Sequence, residues 1–217
     1  MTTHTTTPTV TPELGAVGAE VDRRIRSLQQ GVLANHSAEV AALARLRRAV
    51  GTPAGSVADI HRYTLSPVFT GPNPGEKPTP GEIAAHTALT LYATHQQSRG
   101  KRMHQRGHGL GAAVRRLHPQ EPTDPPAPVL RRFLTLGTSD SYSELVHHLR
   151  GLVQLLRGQD IPVDYGQLAE DLLRWQRPGG AAGVRLRWGR DFYRTHTTAT
   201  TATATEPTET AVDKPTA

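Results

Sequence analysis

Apolar residues recur every three or four positions through most of the chain, and the apolar-polar alternation typical of strands is scarce. The clearest example lies near the C-terminal end, where six aliphatic side chains fall on one helical face. These are Leu145, Val146, Leu149, Leu152, Val153 and Leu156. The spacing predicts an all-α protein, built as a helical bundle.

Start and stop signals divide this pattern into separate helices. Thr79 and Glu82 form a capping box with a proline between them at the first helical position, and Ser141 with Glu144 forms a second box. Ser37 is predicted to cap another helix. We predict helices over residues 14–32, 37–51, 56–65, 79–97, 110–117, 129–136, 141–157 and 164–175.

The segment after residue 180 fits two patterns. Val184, Leu186 and Trp188 alternate as in a strand, whereas Val184, Trp188 and Phe192 follow a helical step of four residues. Because the surrounding elements are helical, we assign this segment to a helix.

Composition divides the chain into five regions. Residues 1–12 and 195–217 are rich in Thr and Pro, and contain too little apolar surface to offset the entropy lost on ordering. We predict that both are disordered tails. A proline-rich linker, 119–128, separates an N-terminal helical region, 13–118, from a C-terminal helical region, 129–194. The two regions could be small helical subdomains.

Charge points to a polyanionic partner. The chain of 217 residues has 25 Lys and Arg and a net charge of +6, and only Lys77, Lys101 and Lys214 are lysines. The C-terminal tail holds three acids and one lysine, so the rest of the chain carries +8. Arginine has the planar fork that suits phosphate. Codon usage in a G+C-rich genome would explain the Arg-to-Lys ratio, but not the net charge.

Several classes of protein are excluded or disfavoured. The chain has no cysteine, which rules out disulfides, thiol nucleophiles and cysteine-ligated zinc. It shows neither a signal-peptide pattern nor a run of about 20 apolar residues, the length of a membrane span. We therefore expect a soluble cytoplasmic protein with no membrane partner.

The histidines and glycines of the segment 99–109 are candidates for chemistry. His104 and His108 have the spacing of two ligands on one helical face, but glycines between and after them disfavour helix and nearby arginines repel a cation. We predict a solvent-exposed basic loop without metal. Gly107-His-Gly-Leu-Gly111 lacks the lysine of a nucleotide-binding loop, and a backbone contact to nucleic-acid phosphate remains open.

No catalytic residue is predicted. The acidic pair Glu170-Asp171 lies near Arg174 and is explained by pairing along one helix rather than by metal catalysis. The serines lack the strand-turn-helix setting of a nucleophile elbow. The sequence thus indicates a non-enzymatic protein without cofactor or metal.

Arginines gather at predicted helix ends and loops. Between Arg99 and Arg132 there are eight basic residues, with only Glu121 and Asp124 as acids. Any single arginine is as readily explained as a solvated or helix-terminal charge. Together they predict a groove that follows a phosphate backbone, and nothing suggests base-specific reading.

A series of segments resembles the CasB family, the small subunit of the type I-E CRISPR surveillance complex called Cascade. The resemblance spans residues 14–194, with its segments in the same order. The segments are Ala44-Arg-Leu-Arg-Arg-Ala49, Val129-Leu-Arg-Arg-Phe-Leu134, Leu149-Arg-Gly-Leu-Val-Gln-Leu-Leu156, Asp164-Tyr-Gly-Gln-Leu-Ala-Glu-Asp-Leu-Leu-Arg-Trp175 and Trp188-Gly-Arg-Asp-Phe-Tyr193.

The resemblance implies an all-helical, non-enzymatic subunit that is present in two copies on a guide-RNA complex. It implies contacts to the large subunit, to the backbone subunits, to a second copy of itself and to target DNA, above all the displaced strand of the R-loop. By position it implies nucleic-acid contacts at Arg45, Arg48, Arg131, Arg132 and Arg150. Local charge density adds Arg102, Arg115 and Arg190.

Two alternative functions remain. A purely structural scaffold subunit would show no salt-dependent DNA binding, and a stand-alone helical DNA-binding regulator would prefer one sequence. The chain departs from the family pattern in its Thr-rich tails, its proline-rich linker and the glycine-rich loop 99–109.

Overall fold

The computed structural model describes residues 13–117 and 128–194, so the predicted tails and nearly all of the linker lie outside the described residues. The described residues form ten α-helices and one 3₁₀ turn, with no strand. The helices are α1 (Ala16–Leu33), α2 (Ser37–Arg48), α3 (His61–Thr64), α4 (Pro67–Thr70), α5 (Pro80–Gln96), α6 (Leu110–Leu117), α7 (Pro128–Gly137), α8 (Tyr142–Gly158), α9 (Tyr165–Trp175) and α10 (Gly180–Arg194). The predicted all-α class is confirmed, and so is helix for the last segment.

Helix α5 is the central element and is buried on nearly all sides. It begins at the predicted capping box: the Thr79 hydroxyl accepts the Glu82 backbone N–H (3.2 Å), and the Glu82 carboxylate accepts the Thr79 N–H (2.8 Å). The alanines Ala84, Ala85 and Ala88 are fully buried. Because their side chains are small, α1, α2, α8 and α9 can all approach this helix.

Two local predictions were wrong. Residues 56–65 form a 3₁₀ turn (Ala58–Ile60) followed by α3 rather than one regular helix. Pro67, which we expected only to stop this helix, has a second role. It opens the one-turn helix α4, where the Ser66 hydroxyl accepts the Val68 N–H (3.3 Å), because proline fits the first helical position. Ser37 is the first residue of α2 rather than its cap, and no side chain caps that helix.

Helices from both predicted regions build one continuous hydrophobic core. Helix α9 packs against α1 and α5, and α10 packs against α6. At the crossing of α1 and α9, a Cβ atom on Gly18 would lie 2.6 Å from the Gly166 carbonyl oxygen, so only glycine permits this distance. The Gly18 N–H also donates to the Glu170 carboxylate (2.6 Å) across this crossing. Elements that are far apart in sequence thus share one interface.

Candidate nucleic-acid interface

The loop 99–109, which we expected to be exposed, is anchored at its centre. Met103 and His104 are buried, and the backbone pairs with that of Val163 on both sides: Val163 N–H donates to the Met103 carbonyl (3.1 Å), and Gln105 N–H donates to the Val163 carbonyl (3.3 Å). The Gln29 side chain bonds both the N–H (2.9 Å) and the carbonyl (3.2 Å) of His104. The prediction of a solvent-exposed loop is therefore wrong for its centre.

The His104 side chain is a structural link between three segments. Its Nδ1 accepts the Tyr165 backbone N–H (3.1 Å), so Nε2 carries the hydrogen and donates to the Asp22 carboxylate (2.9 Å). Asp22 is itself buried and pairs with Arg26 (2.8 Å). The imidazole joins α1, the loop and the start of α9, and both of its nitrogens are used within the protein.

Asp164 fixes the far end of the same loop. Its carboxylate accepts the Gln167 N–H (3.0 Å), which is the predicted cap of α9. It also accepts the Gly107 N–H (2.9 Å) and the Arg106 Nε–H (3.2 Å). One carboxylate therefore caps a helix and anchors the glycine-rich segment, which accounts for Arg106 within the fold.

The glycines that precede and begin α6 serve helix packing. A Cβ atom on Gly111 would lie 2.0 Å from the Trp188 carbonyl oxygen, and one on Gly109 would lie 3.1 Å from the Asp191 carboxylate. Helix α10 thus covers the start of α6 and presents its own carboxylate there. A nucleic-acid phosphate at this turn, which the sequence left open, would meet a like charge in place, and this arrangement argues against such a contact.

We expect Gly111→Ala to lower the free energy of unfolding by about 1–3 kcal/mol, because the new methyl group must push α6 away from the α10 backbone. Gly151→Ala in α8 is the matched control, since its Cβ would meet nothing within 4 Å. There we expect a gain of about 0.5–1 kcal/mol from helix propensity alone. Urea denaturation measures both, and equal effects at the two sites would contradict this account of α6.

The arginines fall into two groups. In the first group the guanidinium bonds an acidic or carbonyl oxygen of the protein: Arg24 contacts Glu20 (2.7 Å) and the Tyr63 carbonyl (2.5 Å), and Arg185 contacts the Ser139 carbonyl (2.6 Å). Further carboxylate pairs join Arg23 to Glu20, Arg26 to Asp22, Arg99 to Asp160, Arg106 to Asp164, Arg187 to Asp171 and Arg194 to Asp191. These cations hold the fold together.

The second group includes seven of the eight predicted nucleic-acid contacts. Within residues 13–117 and 128–194 their guanidinium groups make no hydrogen bond or ion pair, and six of the residues are exposed while Arg45 is half-buried. They are Arg45, Arg48, Arg102, Arg131, Arg132, Arg150 and Arg190. A guanidinium without an internal partner keeps its donors available for an external anion.

Arg115 differs from the other seven and does not suit a surface contact. It is only 7% exposed, and its guanidinium lies 5.7 Å from the centroid of the Phe192 ring. Helix α6 packs against both α8 and α10, so a residue opposite its main apolar stripe is buried as well. Its neighbour Arg116 is exposed.

The exposed arginines form separate patches. Arg45 shares a cleft of about 480 Å³ with Arg23, Arg24 and Arg62, and Glu39 also lines it. This cleft lies between α1, α2 and α3. The sequence did not single out Arg62, because a position in a short, irregular helix gives no periodic signal.

A second cleft, of about 510 Å³, brings Arg102 together with Lys101, His108 and Arg116. Among the described residues Asp160 is the one carboxylate that lines this cleft, and it pairs with Arg99 (3.2 Å) and Lys101 (3.2 Å) but not with Arg102 or Arg116. The sequence predicted a contact at Arg115, but the exposed side chain is Arg116. Packing on two sides of this eight-residue helix buries Arg115, and the sequence pattern of the helix alone does not reveal the second side.

The remaining candidates lie elsewhere. Arg48 is exposed at the end of α2, Arg131 and Arg132 are adjacent and exposed on α7, and Arg190 is exposed on α10. Arg150 is exposed and lines a different, mostly apolar cleft. Three of the predicted residues, Arg45, Arg102 and Arg150, thus line three different clefts. They form several cationic patches on one helical body.

Two further observations concern the same described ranges. They contain no group of three or more His, Cys, Asp or Glu side chains that could hold a metal ion. None of their helices combines the length and the apolar character that crossing a membrane requires.

The described residues thus form an all-helical protein with surface arginines that have no partner within the described ranges, which places the chain among basic helical proteins. The sequence model of the family described as CRISPR-associated protein Cse2 matches residues 42–193. The chain belongs to this family, and the resemblance to CasB is confirmed.

Similarity to known proteins agrees with this membership. The crystal structure of CasB from Thermobifida fusca is 44% identical, with a TM-score of 0.72, over 83% of this chain and 99% of that one. The CRISPR-associated protein Cse2 of Thermus thermophilus is 29% identical over 161 residues, which are 74% of this chain and 83% of the relative. A chain of a CRISPR RNA-guided surveillance complex shares the fold at 22% identity and a TM-score of 0.64, over 85% of this chain and 97% of that one.

Proposed function

We propose that this protein is a non-catalytic small subunit of a CRISPR RNA-guided Cascade complex, and that it stabilises the R-loop by holding the displaced DNA strand. Family membership supports the place in a CRISPR system. The nucleic-acid role is supported by the division of the arginines into those bonded within the protein and those without a partner among the described residues. The fold pairs many of its cations internally, yet within the described residues it leaves Arg48, Arg102, Arg131, Arg132 and Arg190 exposed without a partner.

Electrostatics explains how such patches act without reading sequence. Exchanging a DNA duplex for an RNA-DNA hybrid is nearly balanced in free energy, so a few backbone contacts on the displaced strand favour the open state. Separate cationic patches suit a flexible single strand that crosses the surface, because each patch holds a phosphate independently. Guide pairing supplies the sequence discrimination.

The partners that we propose are the large and backbone subunits, the guide-RNA complex, target DNA and a second copy of this chain. The fold shared with a chain of an RNA-guided surveillance complex supports such an assembly. Helix α10 offers surface for protein contacts, since Leu186 is 54% and Tyr193 is 51% exposed. We place this assembly in the prokaryotic cytoplasm.

The test reverses charge at Arg45, Arg48 and Arg132 together. In a reconstituted complex we expect assembly to persist while target opening weakens. The slope of log affinity against log salt should become shallower by about 2, because each lost single-strand phosphate contact contributes about 0.7. Salt titrations of complex binding to target DNA measure the slope, and strand opening is followed by a fluorescent base on the displaced strand.

The matched control replaces the same three arginines by lysine, which keeps the charge and should keep the slope. Unchanged opening and slope in an intact charge-reversed complex would overturn the proposal and favour the scaffold alternative. Competition with random DNA separates the regulator alternative, since only a regulator would prefer one sequence.

A further inference from the structure

A third cleft, of about 530 Å³, lies between the loop 50–54, α5 and α8. Its walls are mostly apolar and include Val50, Ile83, Leu91 and Val146. This volume lies in the range of clefts that enclose a ligand or an anchoring side chain. We refer to it as the α5–α8 cleft.

Three hydroxyl groups that line the α5–α8 cleft donate to other groups of the protein. The Thr87 hydroxyl donates to the Ile83 carbonyl (2.9 Å), and the Thr90 hydroxyl donates to the His86 carbonyl (2.8 Å). The Tyr142 hydroxyl donates to Thr87 Oγ1 (3.1 Å). These hydroxyls have already donated their hydrogens within the protein and the rest of the lining is mostly apolar, so the cleft suits an apolar group.

His86 lines the same cleft and is 4% exposed. Burial lowers the pKa of its imidazole, although the Ala49 and Thr52 carbonyls nearby act in the opposite direction. Neither ring nitrogen makes a hydrogen bond of good geometry within the described residues. A buried imidazole of this kind responds to any change in its surroundings, so its ring resonances report whether the cleft is filled.

An exposed cation lines the α5–α8 cleft. Arg150 is exposed there without a partner among the residues that the structure describes, and His147 lies one helical turn before it. No carboxylate of the described ranges lines this cleft. Apolar walls beside an unpaired guanidinium are complementary to an apolar group that carries an anion beside it.

We propose that the α5–α8 cleft receives an aromatic or leucine side chain of a protein partner, and that an adjacent Asp or Glu of the same partner segment pairs with Arg150. The inference rests on the proposed function in one respect, since it takes the partner to be a subunit of the same complex. It assigns Arg150 to protein recognition, whereas the other exposed arginines remain with DNA.

The experiment follows the His86 and Val146 NMR signals of the full chain during titration with three short peptides. These are acetyl-Trp-Glu-amide, acetyl-Trp-Lys-amide and acetyl-Gly-Glu-amide. We expect the Trp-Glu peptide to shift both residues and to bind about fivefold more tightly than the Trp-Lys peptide, as one partly exposed ion pair allows. The Gly-Glu peptide should leave the signals unchanged.

Two variants locate the binding. Arg150→Ala should bring the Trp-Glu and Trp-Lys peptides to equal affinity. Ala54→Trp adds an indole to the cleft lining from the loop 50–54. It should abolish binding of both peptides and leave the salt dependence of DNA binding unchanged. Circular dichroism confirms that each variant is folded.

Several outcomes overturn the inference. These are equal binding of the Trp-Glu and Trp-Lys peptides to the unmodified chain, unmoved His86 and Val146 signals, or a shift of these signals by oligo-dT in place of the peptides. Each of them leaves the salt titrations with the charge-reversed complex untouched. Failure of this inference is therefore distinguishable from failure of the proposed function.

Discussion

Asp171→Ala is expected to lower the free energy of unfolding by about 3–5 kcal/mol, because it removes one partner from a buried ion pair. Asp171 is 2% exposed. Its carboxylate pairs with Arg187, accepts the Trp188 indole N–H (2.6 Å) and accepts the Gln167 side-chain amide (3.2 Å). Alanine removes the carboxylate that pairs with Arg187, leaves the indole N–H without its acceptor, and leaves a void between α9 and α10. Urea denaturation measures the loss.

Asp171→Asn separates the two contributions, since asparagine can still accept the Trp188 N–H but cannot neutralise Arg187. We expect its free energy of unfolding to lie between those of the wild-type protein and the alanine variant. Asp59→Ala is the control, because Asp59 is exposed and surface changes of this kind usually stay within about 0.5 kcal/mol. If the alanine variants at 59 and 171 were equally stable, the buried pair would not hold α10 in place.

His104→Ala is expected to cost about 3–5 kcal/mol as well, since it leaves the buried Asp22 carboxylate without one of its two partners and the Tyr165 N–H without an acceptor. Hydrogen exchange at the start of α9 should accelerate together with that of the loop 99–109, because the imidazole joins both segments. The measurement combines urea denaturation with amide exchange.

The control is His108→Ala. His108 is only partly buried, and its side chain makes no hydrogen bond with the other described residues, so we expect a change of about 0.5 kcal/mol or less. A shared metal site at the two histidines would instead make both substitutions costly and sensitive to a chelator. That result would overturn the structural role of His104.

The sequence predicted those parts of the fold whose signals are local. The capping box at Thr79, the α8 stripe and the Asp164 cap depend on residues within one or two turns of each other, and all three are present. The prediction of one regular helix over residues 56–65 was wrong, because this short segment before a proline forms a 3₁₀ turn and a one-turn helix instead.

Long-range partners were not predictable from spacing. Glu170 and Asp171 were assigned to pairing with Arg174, yet Glu170 accepts the Gly18 N–H, Asp171 pairs with Arg187, and Arg174 is exposed. A carboxylate on one helix bonds whichever donor the tertiary packing brings nearest, and that donor can lie far away in sequence. The same reason separates Arg115 from the exposed arginines, since the helix that covers it begins only at Gly180.

The packing of α1 against α9 sets an order of events during synthesis. The Gly18 N–H finds its acceptor on Glu170, so a nascent chain released only as far as α8 can pack α1 against α2 and α5 but lacks the helix that covers its remaining face. Because the contacts between α1 and α9 join distant segments, they can form only late in synthesis. A ribosome stalled before residue 165 would therefore hold a chain in which one face of the first helix is still open to chaperones.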